Sequence, residues 1–151
     1  SARLLPDMKN VILGTVNRNC KAVLVWNLML DEKMGPNLDG GCQTCCGAVD
    51  IASDYKTLHR NSHYYIISHI SSVVRPGAVR IEDSSRSAHI KDIDYATFCN
   101  PDSTYGIVLA NSGGHDQMIT VSNGAYNFQV TIPAEGVVSC IWNPSATSKK
   151  D

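Results

Sequence analysis

Two kinds of hydrophobic pattern divide this chain. In the first half, "PDMKNVILGTVNRN" places apolar residues at Met8, Val11, Ile12 and Val16, a helical spacing, with Pro6-Asp7 as its start. "KAVLVWNL" follows as a continuous apolar run, which fits a strand buried on both faces as in a helix-covered parallel sheet. Residues 31–59 are rich in Gly, Asp and Asn and read as one long loop, a length usually tied to function. "RNSHYYIISHISSVVRPG" predicts a second helix. Asn61 or Ser62 caps it, Ile66, Ile67, Ile70, Val73 and Val74 form its buried face, and Pro76-Gly77 stops it. From there the period shortens. "AVRIE", "KDIDYATFCN", "YGIVLANS", "QMITVS", "YNFQVTI" and "VVSCIWN" are β-type runs. Turn signals such as Asn100-Pro101-Asp102, Ser112-Gly113-Gly114 and Asn123-Gly124 separate them. Short strands with such turns predict an antiparallel β-sandwich. The polar tail "SATSKKD" is expected to fray, and no internal repeat is visible.

The first half poses a difficulty. One helix, one doubly buried strand and another helix do not complete an α/β sheet. Either strands are missing or this half packs on something outside the chain.

Composition adds little to this picture. The chain has 151 residues, is 43% hydrophobic and 18% charged, and so has matter for a packed core. A net charge of −1 argues against nucleic acid and anionic lipid as partners. No apolar run approaches the roughly 20 residues a membrane helix needs. The chain opens Ser1-Ala2-Arg3 without a signal-peptide pattern, and an opening without Met fits a cut end as well as a natural start. Six cysteines point to an oxidising compartment.

The candidate chemistry lies in "VWNLMLDEKMGPNLDGGCQTCCG", residues 25–47. By the residues alone, Trp26 is a core indole at a strand end, and Asn27 points to the opposite face. Asp31 and Glu32 suggest a catalytic pair. However, a catalytic carboxyl pair must converge from two sides on one bond, about 5 Å apart, and neighbours at a strand end diverge. Loop hydrogen bonds and solvated charge are the plainer role for both. Cys42, Cys45 and Cys46, with His59 and His63, have the spacing of two zinc-ligand pairs, which the residues leave open. Cys20, Cys99 and Cys140 read as buried small hydrophobes with room for one pair among them. His63 and His69 read as packing residues, and Tyr64 and Tyr65 as core or interface aromatics.

Taken in order, "VLVWNLMLDEKMGPN", "GGCQTC" and "RNSHYYIISHISSVVRPGAVRI" followed by antiparallel strands closely resemble the C-terminal part of glycoside hydrolase family 30. That family includes glucosylceramidases and endo-β-1,6-glucanases. The resemblance runs from about Met8 to Trp142, and the "GGCQTC" loop is closer to the glucanase branch.

The resemblance implies a (β/α)8 barrel with a side β-sandwich. Residues 1–75 would be the last helix–strand–helix of the barrel with the cysteine loop, 76–146 the sandwich, and 147–151 a polar tail. The family's two catalytic glutamates, at the ends of the fourth and seventh strands, would lie upstream, as would the sandwich's N-terminal strand. This chain would then hold no catalytic residue and be inactive alone, as part of a retaining β-glycosidase acting on β-1,6-glucan, or second on glucosylceramide. Trp26, Asn27, Asp31 and Glu32 become the expected substrate-binding residues. Trp26 would line the subsite beside the cleaved bond. A secreted hydrolase favours a Cys42–Cys45 disulfide over zinc. No cofactor or metal is expected. The partners would be a β-glucan or glucoside and the upstream barrel, with no nucleic acid and no membrane span. The location would be secreted or extracytoplasmic, or lysosomal for a relative of the animal glucosylceramidases. The alternative is a non-catalytic carbohydrate-binding or structural β-sandwich module.

Overall fold

The computed structural model describes residues 3–82, 90–124 and 126–144. The tail expected at 147–151 lies outside them. The chain divides into two units within one helix, at Ser68 and His69.

The first unit opens with a helical segment in three pieces. These are α1 (Leu4–Asp7), a π-helical stretch (Met8–Leu13) and α2 (Gly14–Val16). The start is Leu4 rather than Pro6, because Pro is tolerated within a first turn where its missing N–H costs nothing. The wider π turn rotates the buried stripe to Met8, Ile12 and Leu13, and leaves Val11 and Val16 half-buried. Asp7 is also buried and accepts a 2.6 Å hydrogen bond from the Ser62 hydroxyl. This bond ties the first helical turn to the start of α3 (Ser62–Val73).

Between them lies a small sheet of β1 (Met29–Asp31), β2 (Val49–Ile51) and β3 (Leu58–Arg60), in the order β1-β2-β3. β1 and β2 run parallel, and β2 and β3 antiparallel. Two expectations are corrected here. The loop expected over residues 31–59 contains two strands. The apolar run 21–28 forms no strand, and instead of being buried on both faces it is largely exposed. The physical reason is pairing. An apolar run becomes a strand only when its N–H and C=O groups meet a neighbour, and among the described residues none lies along 21–26.

In α3, Ile66 and Val73 are buried, Ile70 is half-buried and Ile67 exposed, and Val74 just past its end is half-buried. Positions 66, 70 and 73 follow the i, i+4, i+7 stripe, and Ile67 sits about 100° away from it. The side chains expected to cap α3 bond elsewhere: Ser62 to Asp7, and Asn61 to Asp50 and the Gly47 carbonyl.

Apart from the end of α3, the regular elements among the second unit's described residues are all strands. β4 (Val79–Ile81), β5 (Ile93–Cys99), β6 (Tyr105–Asn111) and β9 (Val137–Trp142) form an antiparallel sheet in the order β4-β5-β6-β9. β7 (Gln117–Ser122) and β8 (Asn127–Ile132) form a hairpin. β6 is paired on both sides and is buried from Gly106 to Asn111, in keeping with its apolar run from Gly106 to Ala110. β7 and β8 alternate half-buried and exposed positions. Their inward residues Ile119, Val121, Val130 and Ile132 pack with Ile93, Ile107 and Leu109 of the larger sheet to make the sandwich core. Each fully buried Ile or Leu there contributes about 1.5–3 kcal/mol of burial. Trp142 closes the core at one end, stacked on Tyr105 and edge-on to Phe128.

Two buried asparagines fix the turns. Asn100 donates to the Val73 carbonyl and to Thr104 Oγ1, and its Oδ1 accepts from the Arg75 N–H, which satisfies the C-terminal end of α3. Asn111 donates toward the His115, Ile132 and Pro133 carbonyls, while its Oδ1 accepts from the Gly113 N–H and Gln117 Nε2.

His69, on the last turns of α3, shares a 2.8 Å hydrogen bond between Nδ1 and the Ser139 Oγ of β9. Burial pushes its pKa below the ordinary value. The folded state therefore binds fewer protons here than the unfolded chain, so stability rises with pH in this window and falls as pH drops below about 6.5. We expect the urea midpoint to decline between about pH 7 and pH 5, and His69→Gln, which keeps a partner for Ser139, to flatten that slope. An unchanged slope in the variant would remove His69 as its source.

Candidate functional site

The candidate residues lie where the extended segment meets the small sheet. Along 22–28 exposure alternates, with Leu24, Trp26 and Leu28 on the exposed positions. Trp26 is 72% exposed, so its indole is not core of this chain. The Trp26–Asn27 and Gly35–Pro36 peptide bonds are cis. The Asn27 carbonyl accepts from the Ala48 N–H at 2.7 Å and the Leu28 carbonyl from Val49, which starts the β1–β2 ladder. Gly47 is where the two segments approach most closely. A Cβ there would run into the Val49 carbonyl and the Leu30 amide nitrogen, so only glycine fits.

Asp31 closes the turn that follows. Its Oδ1 accepts the Lys33 and Gly35 N–H bonds at 2.8 Å each, and its own N–H donates to the Gly35 carbonyl. Glu32 accepts the Ser53 N–H at 3.2 Å and bonds Ile51 through its backbone N–H. Both carboxylates hold loops, and neither is paired with the other.

The loop beyond is braced by a Cys42–Cys45 disulfide, with Cα atoms 5.7 Å apart. Cys46 and Cys20 are exposed free thiols, and Cys99 and Cys140 are half-buried and free. Cys20 was expected to be buried and paired or packed; it follows the end of the helical segment in a turn, where nothing covers it. Among the described residues, no three His, Cys, Asp or Glu side chains converge as a metal site. His63 is half-buried, and its Nδ1 has no partner. Tyr64 and Tyr65 are partly exposed and edge-on to each other, with the Arg60 guanidinium 5.1 Å over the Tyr64 ring.

Two supporting groups, Asp50 and Asp54, were not among the expected site residues. Asp50 accepts from the Gly47 N–H and from Asn61 Nδ2, and so anchors the close approach at Gly47. Asp54 accepts from the Thr57 hydroxyl and from the N–H groups of Thr57 and Lys56, bonds that lower its pKa to about 2. An Asp three residues before a Thr in a polar turn is the signal for the second. The first needs the fold.

Comparison with known proteins decides the family. Residues 77–140 match the glycosyl hydrolase family 30 beta sandwich domain. Along 93% of the chain the structure is similar to that of the endo-β-1,6-glucanase BT3312, with a TM-score of 0.88 and 54% identity. The chain belongs to glycoside hydrolase family 30. Its match is to the family's C-terminal part. It is 30% identical over 138 residues to endo-1,6-β-D-glucanase neg1 of Aspergillus fumigatus, covering 89% of this chain. A Caenorhabditis elegans protein carrying the glucosylceramidase name is 30% identical over 108 residues, covering 72% of this chain and 19% of that protein. The family 30 chain spans 28% of the fungal glucanase and 31% of BT3312. No helix among its described residues is long and apolar enough to cross a membrane.

Proposed function

We propose that this chain is part of a retaining β-glycosidase that hydrolyses β-1,6-glucan, contributing one wall of the sugar cleft and the side sandwich. The 54% identity to an endo-β-1,6-glucanase along nearly the whole chain is the observation that carries the reading. Residues 1–75 are the closing helix–strand–helix of a (β/α)8 barrel, and 76–146 the sandwich. The exposed run with Leu24, Trp26 and Leu28 is what a barrel strand presents when its neighbours lie in another part of the protein. Trp26 offers an indole face to a pyranose, Asn27 sets the segment's register through its carbonyl, and Asp31 and Glu32 hold the loops that border the site.

The reaction is a double displacement. One carboxylate attacks the anomeric carbon while a second carboxyl protonates the departing oxygen. Water, deprotonated by that second group, then releases the sugar with net retention. Both carboxyls come from chain outside residues 1–151. Because the work is on an extracellular polysaccharide, the protein is secreted or extracytoplasmic.

The test is the full reading frame expressed beside the 151-residue chain. The full protein should hydrolyse β-1,6-glucan in preference to glucosylceramide, and the isolated chain neither. Turnover by the isolated chain that disappears in Asp31→Asn or Glu32→Gln would overturn the assignment. So would a full-length protein that binds glucan without cleaving it, which is the behaviour of a carbohydrate-binding module.

A further inference from the structure

The β7–β8 turn holds the reactants of a self-modification. Asn123 and Gly124 are exposed neighbours at its tip, and Gly124 has φ +90°. The Tyr126 N–H donates to Asn123 Oδ1 at 2.8 Å, and the Gly124 N–H donates to Ser122 Oγ at 3.1 Å. The Asn123 N–H donates to the Tyr126 carbonyl at 3.1 Å, closing the turn.

These bonds act on the two atoms that would react. A donor on Oδ1 polarises the side-chain carbonyl and stabilises the negative charge that develops on that oxygen during attack. An acceptor on the Gly124 N–H draws its proton away and raises the nucleophilicity of the nitrogen. Gly124 has no Cβ to crowd the approach of its nitrogen to Asn123 Cγ, and no residue beyond its chain neighbours lies within 4 Å of where a Cβ would stand.

We propose that the folded hairpin promotes its own deamidation at Asn123, making this turn a site of isoaspartate formation. The Gly124 nitrogen attacks Asn123 Cγ, forming the N–Cγ bond of a five-membered succinimide. Its proton leaves along the Ser122 bond to solvent. The Cγ–Nδ2 bond breaks, and Nδ2 takes up protons from water and departs as ammonia. Water then opens either carbonyl of the ring, which gives aspartate or isoaspartate. The net change is one water consumed and one ammonia released, with no oxidant or reductant. The product adds one negative charge to a chain whose formal net charge is −1. In the isoaspartyl form it also adds a main-chain methylene between β7 and β8, in a hairpin whose register ends at the Ser122–Asn127 pair.

The experiment incubates the 151-residue chain in mildly alkaline buffer, folded and in denaturant, and follows Asn123 by peptide mass spectrometry and anion exchange. The Asn123→Asp chain serves as the chromatographic standard. Folded chain should convert at least as fast as denatured chain. Ser122→Ala should slow the folded rate about fivefold, the worth of one hydrogen bond, and Ser122→Thr should keep it. Asn123 that survives in the folded chain while the denatured chain converts would overturn the proposal, and so would a Ser122→Ala rate equal to wild type. The folded-against-denatured comparison on the unmutated chain decides the matter even if a variant folds poorly.

Discussion

Asn111→Leu should cost the protein about 3–5 kcal/mol of folding stability, enough to unfold a marginal sandwich. Asn111 is fully buried, at the end of the central strand β6. Its amide nitrogen serves the carbonyls of His115, Ile132 and Pro133, and its oxygen serves the Gly113 N–H and Gln117 Nε2. Leucine has nearly the same shape, so packing is roughly kept. The Ile132 carbonyl would lose a buried partner and the partly buried groups around it would lose theirs, at about 1–3 kcal/mol for each that water does not reach. Asn111→Asp should be no gentler, since a carboxylate has no donor and would face three carbonyl oxygens. Gln129→Ala, on an exposed position of β8, should change stability by no more than about 0.5 kcal/mol. Urea unfolding of the three variants is the measurement. A loss under about 1 kcal/mol in Asn111→Leu would mean that water satisfies these groups and that Asn111 does not hold the turns together.

That node also shows where sequence reading stops. The six strands of the second unit were legible: β5 to β9 have six or seven residues, enough to show alternation or unbroken burial between turn residues, and the three-residue β4 is marked by its β-branched residues just after Pro76-Gly77. Asn111 itself was legible only as the residue before a Ser-Gly-Gly turn. What made it central is the return of β8 and the following turn to the same place, more than twenty residues later. The first unit was harder for a related reason. β2 and β3 are three residues each, too short for any period to show, and they exist because β1 lies beside β2. The run 21–28 departs from its expected strand for the opposite reason. Its composition is that of a doubly buried strand, but composition cannot supply the neighbours. Ile67 was misplaced because a run of apolar residues on a helix is wider than the stripe it buries, and the π stretch at Met8–Leu13 turned the first helix's stripe in a way that i, i+3, i+4 counting does not anticipate. At the site, the Cys42–Cys45 pairing came from resemblance, while the loop-holding roles of Asp31 and Glu32 followed from their divergence at a strand end.

Trp26→Ala in the full-length protein should reduce kcat/KM on β-1,6-glucan about 5- to 150-fold and leave stability nearly unchanged. The geometry of this chain sharpens the contrast between two roles. A core tryptophan would cost about 3–5 kcal/mol of stability on truncation. At 72% exposure, however, the indole has little packing within this chain to lose. Its backbone neighbourhood is independently held, since the Asn27 and Leu28 carbonyls bond Ala48 and Val49 whatever side chain stands at 26. The truncation should therefore remove an aromatic face without moving the segment that carries it. Stacking of a planar ring on an aromatic side chain is worth about 1–3 kcal/mol, which sets the range at about 1.4 kcal/mol per decade. If the indole binds sugar equally in ground and transition states, the loss falls on KM. If it orients the ring beside the cleaved bond, kcat falls as well. Trp26→Phe keeps a smaller face and loses the N–H donor, so it should fall between wild type and alanine. Melting and kinetics on the same preparations separate the readings. A variant with wild-type kinetics and a much lower melting temperature would place Trp26 in a core formed with the rest of the protein and sink its role in the cleft.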